Sequence, residues 1–231
     1  MDGWQIFRAA MAIAPRLLGF QDQGYSEETD PNLITDKDLA LITLKRKTGS
    51  VTVVIGTRDT GKTELCYRLA EFLERPTYAV SPQQKPPSWI KWLHVEDVLE
   101  QLPPDSTCIF DDTPAYMSNR DYNESFNRTV EKAIPMVRHD PHPPDFPIGR
   151  VHLIFSTQSA AQADRYILDV DAAFFKPLGL LMGDIERPNI AKLYRTLVNP
   201  EFDGQSEDFI KSHAYMLTRG YKGLIEVAMT R

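Results

Sequence analysis

The chain has 231 residues, room for one elaborated domain or at most two small ones at about 150 residues per domain. With 42% hydrophobic and 25% charged residues it has the make-up of an ordinary soluble globular protein, which excludes global disorder. Lys plus Arg number 26 against 32 Asp plus Glu, a formal net charge of −6, so bulk charge cannot wrap nucleic acid, and such binding would need local basic patches or oligomerisation.

The stretch from Trp4 to Phe20 is apolar, but Asp2 stands where a signal peptide has its basic region, and Arg8 and Arg16 interrupt the run. No cleaved signal is expected. No apolar run approaches the roughly 18 residues of a membrane helix, so no integral membrane segment is expected either. Trp4, Phe7 and Met11 recur at helical spacing and predict a short amphipathic helix ending near Pro15, followed by a polar arm from Gln21 to Asn32. Residues 1–32 therefore read as an N-terminal helix and arm, and residues 33–231 as the main domain. Lys45-Arg46-Lys47 reads as a solvated strand end, with phosphate contact as the alternative. Cys66 and Cys108 are too few for a disulfide scaffold or a cysteine zinc site, which fits a reducing compartment and a cytoplasmic location.

Val51 to Ile55 is a β-branched run suited to a buried parallel strand. Gly56-Thr57-Arg58-Asp59-Thr60-Gly61-Lys62-Thr63 follows it and matches G-x-x-x-x-G-K-[ST] at every required position, and Glu64 to Leu73 continues as an amphipathic helix. Strand, loop and helix stand in the order a P-loop requires. The glycines let the backbone curl so that successive N–H groups face the phosphates of a nucleotide. Lys62 supplies a point charge to the β- and γ-phosphates, and the Thr63 hydroxyl is placed for Mg²⁺. Gly56 through Glu64 is thus the expected ATP-binding set.

Thr77 to Val80 predicts a further strand, and Thr107 to Phe110 another, ending in Asp111-Asp112 as a Walker B strand does. Asp111 would hold the Mg²⁺ shell and Asp112 the attacking water. A strand between the P-loop strand and the Walker B strand is the arrangement of RecA-like ATPases. Val151 to Phe155 leads into Ser156-Thr157-Gln158, and polar residues at such a strand end face the ligand crevice of a doubly wound sheet. Gln158 either contacts the γ-phosphate or lytic water or caps the next helix. The proline-rich stretch from Arg138 to Gly149 predicts an extended loop, in which His139 and His142 have metal-like spacing but lack further ligands. Trp89 and Trp92 are expected in core or subunit packing, with stacking on nucleic acid as the alternative. Ile190, Leu193, Tyr194 and Leu197 suit a helix before Asn199-Pro200, and Ala214 to Ala228 reads as an antiparallel hairpin with a turn over Arg219 to Gly223.

These motifs together resemble the FtsK/HerA superfamily of hexameric ATP-driven translocases, which includes viral genome-packaging ATPases and the Zot-like proteins of phage. The resemblance rests on the P-loop, Ile109 to Asp112, Val137-Arg138-His139, Leu153 to Gln158, Val170 to Lys176 and Tyr221 to Leu224, and spans Val51 to Ala228. It implies a RecA-like (ASCE) α/β fold with a mostly parallel central sheet flanked by helices, plus the C-terminal hairpin. It further implies MgATP hydrolysis coupled to movement of double-stranded DNA through a homo-oligomeric ring, expected to be a hexamer. Packaging of a viral or phage genome is its most specific version, with a capsid or portal vertex as partner and host cytoplasm or virion as location. An arginine finger reaching the neighbouring subunit's site is implied too, with Arg138 as the matching candidate and Arg150 as its competitor. Asp112 stands where the family usually has Glu, which puts hydrolysis rather than binding in question. Two other readings follow: a Zot-like membrane-associated assembly ATPase, and a nucleotide-binding structural protein that does not hydrolyse.

Overall fold

The computed structural model describes residues 37–80, 85–111, 132–141, 148–159, 170–179, 186, 188–218 and 220–226. The N-terminal helix and arm lie outside these residues, as do Asp112 and His142. Helix α1, Lys37–Arg46, buries Ala40, Leu41 and Leu44 and ends in the basic run expected to close a strand. Apolar residues three and four apart override the β-like reading there. Lys45 pairs with Glu74 at 2.8 Å and Lys47 with Asp171 at 2.8 Å, so both side chains are engaged within the chain.

The strands are β1 (Ser50–Ile55), β2 (Thr77–Val80), β3 (Ile90–Trp92), β4 (Thr107–Phe110), β5 (His152–Thr157), β6 (Ala172–Phe175), β7 (His213–Thr218) and β8 (Lys222–Glu226). They form one sheet in the order β3-β2-β4-β5-β1-β6-β7-β8. The strands β1 to β6 pair in parallel, and the hairpin β7–β8 adds antiparallel to β6. This is the mostly parallel α/β sheet with a C-terminal hairpin that the sequence predicts. The strand that separates β1 from β4 in space is β5, however, while β2, which intervenes in the sequence, lies beyond β4.

Alternation along each strand divides the core into two layers. Val54, Ile109, Ile154, Phe174 and Met216 face α1 and helix α2 (Lys62–Leu73), where they meet Leu44, Leu65, Cys66 and Leu69. Val53, Ile55, Phe110, Phe155 and Phe175 face the other side, against Val137, Leu193, Tyr194 and Val198. There Phe110 stacks on Phe155 at 4.8 Å between centroids, and Tyr194 meets Phe175 edge-on at 5.5 Å.

Three local expectations are corrected. Trp92, expected in core or subunit packing, lies on the short edge strand β3 and is 53% exposed, stacked on His94, so it is not core; Trp89 does pack against the α2-side layer. After helix α3 (Val98–Gln101), helix α4 (Pro188–Leu193) does not stop before Asn199-Pro200 but passes through a π segment, Tyr194–Val198, into α5 (Asn199–Phe202). Pro200 falls in the first turn of α5, directly after the wider π turn. Helix α6 (Glu207–Ser212) then leads into β7, with the Ser206 side chain accepting from the Phe209 N–H as its N-cap. In the hairpin, Thr218 N–H donates to Tyr221 O at 2.8 Å, which closes the turn earlier than expected and leaves Gly223 within β8.

Candidate nucleotide-binding site

The loop after β1 turns back because Asp59 (φ 63°) and Gly61 (φ 82°) both take the left-handed conformation. For Gly61 this favours glycine outright, and a Cβ there would come within 3.1 Å of Lys211 O. At Gly56 a Cβ would stand 2.5 Å from the Lys176 Cβ, so close approach to β6 requires glycine there as well. Thr60 Oγ1 donates to Thr57 O at 2.8 Å and Thr57 Oγ1 to Pro177 O at 3.3 Å, which fixes the loop to itself and to the chain after β6. Arg58 and Asp59 are exposed at its tip, and Glu64 receives Arg68 one helical turn on at 3.3 Å.

Lys62 opens α2 and its Nζ donates to Thr57 O at 2.7 Å, lying across the mouth of the loop. Thr63, the next residue, donates its hydroxyl to Asp111 Oδ2 at 2.8 Å. Asp111 follows β4 and is 8% exposed. It shares the parity of Ile109, so its side chain faces α2, as does Ser156 by the parity of Ile154. Because β5 lies between β1 and β4 and extends past Phe110, Ser156 stands beside Asp111 and donates to Oδ1 at 2.6 Å. A lysine, two hydroxyls and a carboxylate from three elements thus converge at the carboxyl edge of the sheet.

The field of Asp111 reaches the buried face of α2. Burial pushes the Tyr67 hydroxyl up to about 12, and the Asp111 charge adds to that shift. Burial likewise raises the Cys66 thiol, with Asp111 next in effect and Lys62 and Lys176 opposing it. Lys176, fully buried, lies behind the loop and donates to Ile210 O at 2.7 Å, Lys211 O at 2.8 Å and His213 O at 2.5 Å. These carbonyls end α6, so one ammonium ties the end of that helix to the floor of the P-loop. Burial lowers the Lys176 pKa to about 7, with the Arg68 charge contributing next.

The donor set fits a nucleotide triphosphate with a hard divalent cation. Mg²⁺ takes oxygen ligands and is held through one or two carboxylates plus phosphates, retaining waters, and the Thr63–Asp111 pair beside Lys62 offers that chemistry. No group of three or more His, Cys, Asp and Glu among the described residues could form an all-protein metal cage, His139 included.

Gln158 follows β5 directly, in a bend, and is half-buried. The turn beyond it is fixed by Ser159 Oγ, which donates to the buried Glu186 at 2.8 Å. Asp112 lies outside the described residues. The two candidate fingers are not brought to this site. Arg138 is 57% exposed and donates to Asp171 at 2.6 Å, beside the start of β6, while Arg150 bonds Asp105 at 2.6 Å and Asp140 at 3.2 Å before β5. Both stand at the amino edge of the sheet, opposite the P-loop. Ser156, Lys176 and Glu186 were not singled out from sequence as site residues; for Ser156 the available signal was its parity with Ile154, matched by that of Asp111 with Ile109.

No protein-family model and no curated protein matches the chain. Solved structures do. The DNA-packaging ATPase B204 from Sulfolobus Turreted Icosahedral Virus is 9% identical, over 78% of this chain and 98% of its own, with a TM-score of 0.45. The genome packaging NTPase B204 from Sulfolobus turreted icosahedral virus 2, in complex with AMPPCP, is 11% identical over 79% of this chain and 100% of its own, with a TM-score of 0.40. A structure described as an ATPase is 11% identical and covers 96% of this chain and 93% of its own, with a TM-score of 0.48. The strand order around the P-loop, with β5 between β1 and β4, is that of a RecA-like P-loop NTPase.

Proposed function

We propose that the chain is an ATPase motor of the FtsK/HerA type that packages double-stranded DNA of a virus or phage. The observation that carries the ATPase reading is the Thr63 hydroxyl bonded to the buried Asp111 carboxylate at 2.8 Å, one residue from Lys62. In this reading the loop amides from Gly56 to Gly61 and Lys62 bind the phosphates, while Thr63 and Asp111 hold Mg²⁺. The metal, when bound, neutralises charge on the phosphates as the γ-phosphoryl leaves. Asp112 orients water on the strength of its place after Asp111 alone, and Gln158 senses the γ-phosphate from the end of β5.

The amino-edge position of Arg138 supports a role in trans, because a residue on the far edge cannot serve its own P-loop. Arg138 is favoured over Arg150 because it is held by one carboxylate and more exposed, whereas Arg150 is held by two. A site built from two subunits makes ring assembly, with a hexamer as the expected form, part of the same reading. DNA as cargo and a capsid or portal vertex as partner come from the sequence resemblance. No helix among the described residues is long and apolar enough to cross a membrane.

The test is the Mg²⁺-dependent rate of ATP hydrolysis measured while titrating double-stranded DNA, with Lys62→Ala as the inactive reference. A rate that rises with DNA and with protein concentration is expected. A rate indifferent to DNA would remove the DNA motor and leave a partner-dependent ATPase. Binding of MgATP without turnover would leave a structural nucleotide-binding protein.

A further inference from the structure

Asp111 is held from two sides by elements of different character. On one side Thr63, from α2, donates to Oδ2 at 2.8 Å and stands 3.1 Å from Oδ1. On the other, Ser156 donates to Oδ1 at 2.6 Å. Ser156 is fully buried within β5, which pairs with β1 on one flank and β4 on the other, so its hydroxyl has little freedom to move. Packing gives no reason for a polar residue there. Ser156 lies across from Val54 and follows Ile154 on the same face, with both of these neighbours apolar. Burying a hydroxyl is unfavourable unless it is hydrogen-bonded, and this one is spent on a carboxylate.

A carboxylate bonded at one oxygen only can rotate about its last torsion. Fixing Oδ1 from β5 sets the plane of the group, and with it the direction in which Oδ2 faces Thr63. We propose that Ser156 is a positioning residue that orients Asp111 toward Mg²⁺, so that the metal-dependent gain in nucleotide affinity depends on the Ser156 hydroxyl. This inference rests on the reading of Thr63 and Asp111 as the metal side of the site. It concerns binding and holds whether or not the chain hydrolyses ATP quickly.

The test is calorimetric titration of the full chain with ATPγS, in Mg²⁺ and in EDTA, for wild type, Ser156→Ala, Ser156→Thr and Asp111→Asn. Groups that orient a metal ligand are worth about 10- to 100-fold in metal affinity. Ser156→Ala is therefore expected to shrink the Mg²⁺-dependent gain by about 10-fold while leaving affinity in EDTA unchanged, and Ser156→Thr to retain most of the gain. A folded Ser156→Ala protein with the wild-type gain would overturn the proposal, as would an equal loss in Mg²⁺ and EDTA, which marks a merely structural role. Should Ser156→Ala not fold, the near-isosteric Ser156→Cys carries the same comparison with the same two outcomes. Asp111→Asn separates the two levels of the argument. If it keeps the full Mg²⁺ gain, the metal-side reading fails and this inference with it; if it abolishes the gain while Ser156→Ala does not, only the role of Ser156 fails.

Discussion

The two ends of the central sheet both bury polar groups, and they do so differently. At the amino end the groups lock onto their own chain. Arg75 donates to the carbonyls of Lys47, Thr48 and Arg150, and Asp171 accepts from Val51 N–H, Lys47 and Arg138. At the carboxyl end, unlike groups from α2, β4 and β5 converge on one point, with Lys176 bracing the loop from behind. Buried polarity alone therefore does not mark a site. Convergence at the end of parallel strands, where such sheets present ligands, does.

Arg138 is the member of the amino end that breaks this contrast, because its guanidinium is largely exposed and held by one side chain. If it belongs to a neighbour's site, Arg138→Ala should lower kcat about 10³-fold with little change in nucleotide affinity, as loss of an arginine finger does. Arg150→Ala should leave kcat nearly intact. Mixing Arg138→Ala chains with Lys62→Ala chains should restore activity, since each supplies what the other lacks. Steady-state ATPase assays of the mixtures check this, and an Arg138→Ala protein with wild-type turnover would return the residue to the amino-end lock.

The amino end should show itself in acid. His152 is fully buried, its Nδ1 lies 2.6 Å from Ser50 Oγ, and its Nε2 has no hydrogen-bond partner among the described residues. Burial lowers its pKa from 6.5 to about 4, with the Arg75 and Lys47 charges adding to the shift and Asp171 opposing it. The unfolded chain therefore takes up this proton near pH 6.5 and the folded one only near pH 4, so stability falls as pH drops through that window. The difference of about 2.5 units corresponds to about 3 kcal/mol lost between neutral pH and pH 4. Urea unfolding at pH 7.5 and 4.5 measures it. His152→Asn should flatten most of the slope, and an unchanged slope in that variant would place its origin elsewhere. Asp171 acts lower: its depressed pKa contributes stability that is lost only as pH falls below the ordinary carboxylate range.

What could be read from the sequence follows the same divide. β1, β2, β4 and α2 were legible because a buried parallel strand is one continuous apolar run and because Gly56, Gly61 and Lys62 carry a motif with fixed geometry. The lateral order of strands was less so, since nothing local tells β2 from β5 as the neighbour of β1. α1 was hidden by the basic run at its end, and β3 by its three residues after a proline-rich stretch. Ser156 reads only as one of three polar residues at the end of β5, and only pairing β5 against β4 places its hydroxyl on Asp111. The Arg138–Asp171 bond spans 33 residues and has no local signature.

Lys176 tests whether the carboxyl end is braced from behind. Lys176→Met keeps the length of the stem and removes three donated hydrogen bonds, leaving carbonyls at the end of α6 short of a partner. A loss of about 2 kcal/mol in urea unfolding is expected, together with weaker nucleotide binding, because α6 packs directly on Gly61 through Lys211. A stability loss with unchanged nucleotide affinity would separate α6 from the site.

The smallest effect sharpens the comparison from the opposite side. Lys45 and Glu74 pair at 2.8 Å, as short as several contacts at either end of the sheet, but Lys45 is partly and Glu74 largely exposed. Solvent screens such a pair and two long side chains lose freedom to make it, so Lys45→Ala should change stability by no more than about 0.5 kcal/mol. Its effect should also be indifferent to nucleotide. Distance is thus a poor guide to consequence in this protein, and the same 2.8 Å between Thr63 and Asp111 matters because that carboxylate is buried and faces a second hydroxyl. Urea unfolding of Lys45→Ala with and without MgATP checks the point, and a nucleotide-dependent change would mean that α1 is coupled to the P-loop through α2.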